Sequence, residues 1–317
     1  MKRTSVTDTI QYLEPEDNQK NNGCAGVLLG SRPKTLIDGQ MGFDRESIED
    51  TIQLLGVEKP DRAFITHYHL DHSQTGYLVR RHSDAELLLP EGEEQYLTDF
   101  DYFVRNTAGG SGSCGCVPEW RLMTKEAFHY LEIDDFHIYR DLDTFKSGQT
   151  TIKCIRTPGH SLAHTSFYFP REKILFTGDM GLDRFGPWYG WPDSDLAEMI
   201  ESVLRLKSLK VEMLLTSHSG IITSNIGQAW DQCIEIIMQR EQWIRSRLDQ
   251  GDTKKEIVEQ GIFFKNKTGV PEPQQSFLLM WDSNMFDKHR SMLDQGSLER
   301  LFPGLHAPSK DHGRNHL

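Results

Sequence analysis

The sequence predicts an α/β protein whose C-terminal part is helical. Short apolar strand patterns alternate with amphipathic helix patterns as far as about residue 225, which is typical of α/β folds. Several of these strands end directly in a histidine or an aspartate. From Gly227 onward the spacing of the apolar residues becomes helical. These three observations indicate a mixed domain followed by a helical extension.

The first ninety residues contain alternating strand and helix patterns. Four short apolar runs are predicted as strands, at 25–30, 34–38, 62–66 and 86–90. One helix is predicted over 44–56, because acidic residues begin it and Gly56 follows its apolar face. A second helix is predicted near 74–82. The strand at 62–66 runs straight into a group of histidines.

Residues 91–135 interrupt this alternation. They are aromatic and contain the flexible segment AGGSGSCGC, so they are predicted to form helices and a loop that cap something. Strand patterns resume at 150–157, 165–169, 173–179 and 211–218, with a helix over 195–207. The extension is predicted to contain three helices, starting near Gly227, at about 253–260 and at about 275–293. We therefore expect a catalytic domain over 1–225 that includes the cap, a helical extension over 226–300 and a disordered tail over 301–317.

Composition excludes several functional classes. The net charge of −12 argues against binding to phosphate backbones, so no nucleic-acid partner is expected. No run approaches the roughly 18 apolar residues of a membrane helix, and the N-terminus lacks the apolar stretch of a signal peptide. Five scattered cysteines do not suggest a disulfide framework. A cytoplasmic protein without a membrane partner is predicted, and a homodimer is left open.

The segment THYHLDHSQTG, at 66–76, contains the densest group of candidate ligands. His67 and His69 alternate at a strand end, so their side chains face the same side and can converge on one ion. Asp71 and His72 are expected in the turn that follows, from which they can reach a second position. Imidazole nitrogens and carboxylate oxygens are common ligands of zinc and other divalent metals.

Three later segments bring further candidates to strand ends. TPGHSLAHT contains His160 and His164, FTGD contains Asp179, and LLTSH contains His218. With the earlier segment this makes seven ligands for two metals, since a carboxylate can bridge two cations. The expected assignment is His67, His69 and His160 for the first metal, Asp71, His72 and His218 for the second, and Asp179 as the bridge.

These motifs, in this order and spacing, resemble those of the metallo-β-lactamase-fold hydrolases. The resemblance rests on HxHxDH, PGH, GD and a strand-end histidine, and it covers roughly residues 20–225. It implies a four-layer αβ/βα sandwich with the metals at one edge of its two sheets. It also implies that Asp38, in LIDGQ, supports the metal site from outside the ligand set.

The resemblance divides the two histidines of TPGHSLAHT. His160 matches a ligand position of the family, whereas His164 does not, although glyoxalase II enzymes have a similar GHTxGH pattern. His164 is therefore expected to be a supporting or core residue. Cys114 and Cys116 lack ligand partners and are interpreted as free thiols, with a redox role as the alternative.

The implied chemistry is hydrolysis by a hydroxide that bridges two divalent metals, with Asp71 orienting it. Zinc is the favoured metal, and iron or manganese are alternatives. The segment spacing and the helical extension favour glyoxalase II-like thioesterases and lactonases, whose substrates are small esters, thioesters or lactones. A phosphodiesterase of the same fold and a persulfide dioxygenase with one iron remain alternative functions.

The segment RFGPWYGWPD departs from glyoxalase II, so the glutathione pocket cannot be carried over. Because it follows Asp179 closely, it is expected at the mouth of the metal site. Its four aromatic residues are predicted either to line an apolar entrance for substrate or to pack under the cap. These candidate substrate-binding residues are Phe185, Trp188, Tyr189 and Trp191.

Overall fold

A computed structural model of the chain describes residues 1–15, 23–39, 42–108, 117–182, 186–267, 269–296 and 300–301. Two mixed β-sheets face each other and carry helices on their outer sides. The predicted α/β sandwich with C-terminal helices is confirmed. The predictions made for Phe185, Cys114, Cys116 and nearly all of the tail lie outside the described residues.

The first sheet has seven strands in chain order among the described residues. They are β1 (Lys2–Ser5), β2 (Ile10–Glu14), β3 (Gly26–Leu29), β4 (Thr35–Asp38), β5 (Arg62–Phe64), β6 (Glu86–Pro90) and β7 (His137–Tyr139). The first four pair antiparallel, and β4 to β7 pair parallel. Parallel pairing brings the carboxyl ends of β4 and β5 to one edge, where Asp38 and the histidine segment lie side by side.

The second sheet has six strands within the described ranges, in the order β13-β12-β11-β10-β9-β8. They are β8 (Thr144–Ser147), β9 (Thr150–Arg156), β10 (Thr165–Phe169), β11 (Ile174–Phe176), β12 (Met213–Leu215) and β13 (Ile221–Ile222). Strands β11 and β12 are parallel, so the residues that follow them, including Asp179 and His218, leave the sheet at the same edge. Alternate residues of both sheets fill the space between them, among them Tyr12, Phe64, Phe167 and Phe176.

The helices within the first 225 residues flank the two sheets. In the described part of the chain they are α1 (Arg45–Glu58), α2 (Leu70–His82), α3 (Glu94–Thr98), α4 (Phe100–Thr107), α5 (Val117–Glu126) and α6 (Leu196–Lys207). Helices α1 and α2 pack on the outer side of the first sheet through Leu54, Leu55 and Val79. Helix α6 packs on the second sheet through Met199 and Val203.

The C-terminal helices are α7 (Ile226–Asp249), α8 (Lys254–Gln260) and α9 (Gln274–Gln295). Helix α7 buries Trp230, Ile237 and Ile244 in the same apolar cluster as α6, as its helical spacing predicts. Helix α9 contributes Phe277 to the cluster beneath the cap. No helix in the described part of the chain is long and apolar enough to cross a membrane.

Several element boundaries differ from the sequence prediction. Helix α1 continues past Gly56 and ends at Glu58, where Lys59 adopts the left-handed conformation. Helix α2 begins at Leu70, so Asp71 and His72 lie in its first turn and not in a preceding turn. Strands β1, β7, β8 and β13 were not predicted; each has two to four residues and lies at an edge of its sheet among the described residues. Strand β2 was also not predicted, although its Ile10, Tyr12 and Leu13 are buried.

Candidate metal centre

The first group of candidate ligands joins the end of β5 to the loop after β9. His67 and His69 follow β5 on the same side of the chain, while Tyr68 between them stacks on Tyr96 at 4.0 Å. His67 Nε2 and His160 Nε2 each lie 2.9 Å from His69 Nδ1. Three imidazole nitrogens thus converge on one point.

The second group combines the first turn of α2 with the ends of β11 and β12. His218 Nε2 lies 3.3 Å from Asp71 Oδ2 and 3.4 Å from Asp179 Oδ2. His72 Nε2 lies 3.2 Å from Asp179 Oδ1. Asp179 Oδ2 is also 3.4 Å from His160 Nε2, so its carboxylate belongs to both groups. The structure therefore brings all seven sequence-predicted residues together in the two expected groups.

The unpaired atoms of these residues fit bound cations. Among the described residues, His72 Nε2 and Asp179 Oδ1 find no hydrogen-bond partner of suitable geometry, and both atoms are buried. A buried polar atom without a partner is costly unless an ion or water satisfies it. The donors are all nitrogen and oxygen, a set that accepts divalent transition metals.

The electrostatics of the site also suit cations. Burial lowers the pKa of His67 and His69 well below the usual value and lowers the pKa of His160, so these rings are neutral and free to ligate. Burial by itself would raise the pKa of Asp179, yet His218 and His72 hold the pKa of this carboxyl well below its usual range. A buried carboxylate that stays ionised needs nearby positive charge.

Asp38, which the resemblance implied as a supporting residue, makes three contacts beside the second ligand group. Its carboxylate accepts from Thr66 N at 2.9 Å and from Thr66 Oγ1 at 2.7 Å. The second of its oxygens also lies 2.8 Å from His72 Nδ1. This contact directs His72 Nε2 toward Asp179. Asp38 adopts φ 48°, a left-handed conformation that aspartate tolerates better than most residues.

His164 lies beside the ligand groups but belongs to neither of them. Its Nε2 accepts a hydrogen bond from Asp179 N–H at 3.0 Å, and its Nδ1 lies 2.9 Å from Thr157 Oγ1. Burial lowers the pKa of His164 to about 3, so the ring is neutral. A Cβ on Gly178, which has φ 57°, would lie 2.3 Å from His164 Nε2. The GD motif therefore packs directly on this histidine.

Two carboxylates that the sequence analysis missed, the buried Glu93 and the half-buried Asp193, hold the ligand loops together. Glu93 accepts hydrogen bonds from Tyr68 N–H at 2.6 Å, from Ser161 Oγ at 2.5 Å and from Ala163 N–H at 2.8 Å. Burial raises the pKa of Glu93 to about 8 despite these donors. Asp193 accepts from Tyr68 Oη at 2.7 Å. No local motif marks these residues, because their partners lie 25 to 125 positions away.

Cys24 was likewise not predicted near the site. It is fully buried, and its Sγ donates to Asp71 O at 3.0 Å. Cys24, Asp38 and His72 also form a third close group of candidate ligand atoms. Burial raises the pKa of the Cys24 thiol, so it is interpreted as a protonated hydrogen-bond donor.

Two of the predicted substrate residues contact the first ligand group. The Trp188 ring centroid lies 5.9 Å from that of His69 and 5.7 Å from that of His160. The Trp191 ring lies 5.6 Å from His69. Trp191 also packs 5.3 Å from Trp120 of α5, so both expected environments, the metal site and the cap, meet at this side chain.

Tyr189 does not share this position. Its side chain is fully buried in the cluster formed with α7 and α9, and its hydroxyl lies 2.8 Å from His289 Nε2. This burial leaves no face of Tyr189 toward a substrate entrance. Trp281 of α9, by contrast, packs 5.5 Å from Trp191, although the sequence analysis did not select it. Together with Trp188 these two rings form a surface that we term the aromatic wall.

Comparison with known proteins agrees with this geometry. The sequence profile of the metallo-beta-lactamase superfamily matches residues 25–218. A hydroxyacylglutathione hydrolase from Bartonella henselae is 27% identical over 166 residues, which are 51% of this chain and 49% of that protein. The human acyl-coenzyme A thioesterase MBLAC2 is 29% identical over 203 residues, 61% of this chain and 66% of that protein. The chain thus spans about half to two thirds of the length of these relatives.

Solved structures share the fold over nearly the whole chain. A beta-lactamase domain protein from Burkholderia ambifaria has a TM-score of 0.73 at 17% identity, covering 93% of this chain and 89% of that one. A metallo-beta-lactamase family protein from Thermus thermophilus has a TM-score of 0.68 at 18% identity, covering 92% and 95%. At such low sequence identity, these TM-scores show a common fold and nothing further. With the profile match across the residues that form both ligand groups, the chain belongs to the metallo-beta-lactamase superfamily.

Proposed function

We propose that the chain is a hydrolase that holds two divalent metal ions and cleaves carboxylic esters or thioesters with an apolar acyl group. The observation that carries this proposal is the position of Asp179. Its carboxylate contacts His160 of the first group and both His72 and His218 of the second. A carboxylate shared in this way favours two adjacent ions over one isolated ion.

The residues of the two groups would hold the ions as the sequence analysis assigned them, with zinc as the favoured metal. Bound divalent ions would polarise a substrate carbonyl and lower the pKa of water toward about 7. The chain's own groups would position the reactants. Asp71 and His218 have side chains that are 25% and 29% exposed, whereas His72 is fully buried. Substrate and water would therefore approach from the side of Asp71 and His218, where the Asp71 carboxylate can accept a hydrogen bond from water and orient it.

The aromatic wall supports an apolar acyl group. Trp188 and Trp191 lie against His69, and Trp281 lies behind them. Such a surface binds alkyl or aryl groups by excluding water, and its three indole rings carry no charge that would pair with a polyanionic phosphodiester. The names of the two relatives agree with this choice, since one is a hydrolase of hydroxyacylglutathione and the other is an acyl-coenzyme A thioesterase.

Acyl chain length should control the rate. For acyl thioesters of increasing length, kcat/KM should rise by up to about fourfold per methylene until the apolar wall is covered. We expect Trp188→Ala to remove most of that gain and to cost at least about tenfold with the longest substrate. The measurement is kcat/KM for the series, compared with bis-p-nitrophenyl phosphate.

Trp243→Ala serves as the matched control, because Trp243 is a half-buried tryptophan of α7 that packs in the cluster under the second sheet. It should leave the chain-length dependence unchanged. Faster cleavage of the phosphodiester, with no gain from longer acyl chains, would refute the proposed substrate class.

A further inference from the structure

The segment over residues 186–195, which we term the strap, crosses the metal centre without forming a helix or strand. Backbone carbonyls in such a segment need partners from elsewhere when they are buried. Pro187, Gly190 and Trp191 lie in this segment, and all three of their carbonyl oxygens accept hydrogen bonds from side chains of the C-terminal helices.

Helix α7 supplies one of these donors, and helix α9 supplies the other two. Arg240 Nη1 donates to Pro187 O at 2.5 Å. Asn284 Nδ2 donates to Gly190 O at 2.8 Å, and Lys288 Nζ donates to Trp191 O at 2.8 Å. The two α9 residues are four positions apart, so they lie on the same face of the helix, which follows the strap.

A buried side-chain relay holds the middle of the strap to the same two helices. The Tyr189 hydroxyl lies 2.8 Å from His289 Nε2, and His289 Nδ1 lies 2.6 Å from Glu241 Oε2. The hydroxyl can donate to His289, whose other nitrogen then donates to the carboxylate. All three side chains are buried, so this contact fixes the strap and is closed to substrate.

The strap in turn holds one candidate metal ligand, His160, both at its ring and at its backbone carbonyl. Trp188 O lies 2.9 Å from His160 Nδ1. Because a carbonyl oxygen can only accept, this contact keeps the ring proton on Nδ1 and leaves Nε2 free to ligate. Ser194 Oγ donates to His160 O at 2.8 Å. His160 Nε2 then points at His69 Nδ1, 2.9 Å away. The orientation of His160 therefore depends on where the strap lies.

We propose that Asn284 and Lys288 are positioning residues for the first metal site, acting on His160 through the strap. Both lie well beyond residues 25–218, which the superfamily profile covers. The C-terminal helices are thus part of the support of the metal centre in this chain. This inference rests on the proposed metal-binding function, because it assigns His160 to a bound ion.

The test is a metal titration of the purified, metal-stripped full chain with Co²⁺, followed by absorbance and calorimetry. The variants are Asn284→Ala, Lys288→Met and the double variant, each checked for folding by circular dichroism. Lys288→Arg retains a donor and should restore binding. Arg290→Ala is the matched control, because Arg290 lies on the exposed face of α9 and pairs with Asp294.

The wild type should bind two equivalents in two resolved steps. In the double variant, we expect one step to weaken about 10–100-fold while the other stays within about twofold, since only one ligand group contains His160. Each single variant should weaken the same step to a smaller degree, so the proposal can be tested even if the double variant fails to fold.

Two other outcomes have distinct meanings. If the folded variants bind both equivalents as the wild type does, or if both steps weaken equally, the positioning role is refuted and the proposed function stands. If the wild type itself binds no metal, the proposed function fails, and the positioning role fails with it.

Discussion

Replacing Asp179 by alanine is expected to reduce ester and thioester hydrolysis to background. The Asp179 carboxylate contacts His160 of the first group and His72 and His218 of the second, so its loss would remove the one residue that both groups share. Loss of a supporting residue outside a ligand set typically costs about 10–100-fold, so loss of this shared ligand should exceed that range. The measurements are kcat/KM and the metal content of the folded variant.

Asp141→Ala is the matched control, since this surface carboxylate pairs with Arg205 away from the site. It should keep wild-type activity and metal content. If the Asp179 variant retained two ions and more than about a tenth of the wild-type rate, the shared ligand would have no special role.

Replacing His160 and His164 separately should give very different results, although they are only four residues apart. His160→Ala removes a ring whose Nε2 faces His69 and Asp179, and we expect it to abolish turnover, as we do for Asp71→Ala. His164→Ala removes a neutral ring that accepts from the backbone N–H of Asp179. It should lower kcat/KM by about 10–100-fold at most, because every ligand remains.

His164→Asn offers a sharper comparison, because its side-chain oxygen can accept the hydrogen bond of Asp179 N–H. It should recover part of the activity lost in the alanine variant. An alanine variant at His164 as inactive as that at His160, with the same loss of metal, would make His164 a ligand in function.

The ligand groups could be predicted because their residues are concentrated in short motifs at strand ends. In HYHLDH, alternation along the chain determines which side chains share a side, and no tertiary information is needed. Asp179 and His218 follow two strands that pair in parallel, so the sheet itself brings them to one edge. The same local logic gave the boundaries of β6 and β10.

The supporting contacts could not be predicted, since they join residues remote in sequence. Glu93 binds a loop about seventy positions away, and Lys288 of α9 binds a carbonyl of the strap that lies 97 positions earlier in the chain. Neither residue has a motif around it. The sequence also did not determine which aromatic residues of this segment face the metal centre. Trp188 and Tyr189 are adjacent, but Trp188 lies against His160 while Tyr189 is buried against α7 and α9, and this difference depends on how those helices pack.

Elemental analysis of the purified, metal-reconstituted chain tests the central claim most directly. Seven residues in two groups that share Asp179 predict about two divalent ions per chain, falling to about one in His218→Ala, whose loss affects only the second group. A single iron per chain that is unchanged by His218→Ala, together with oxygen consumption on a persulfide substrate, would contradict the account.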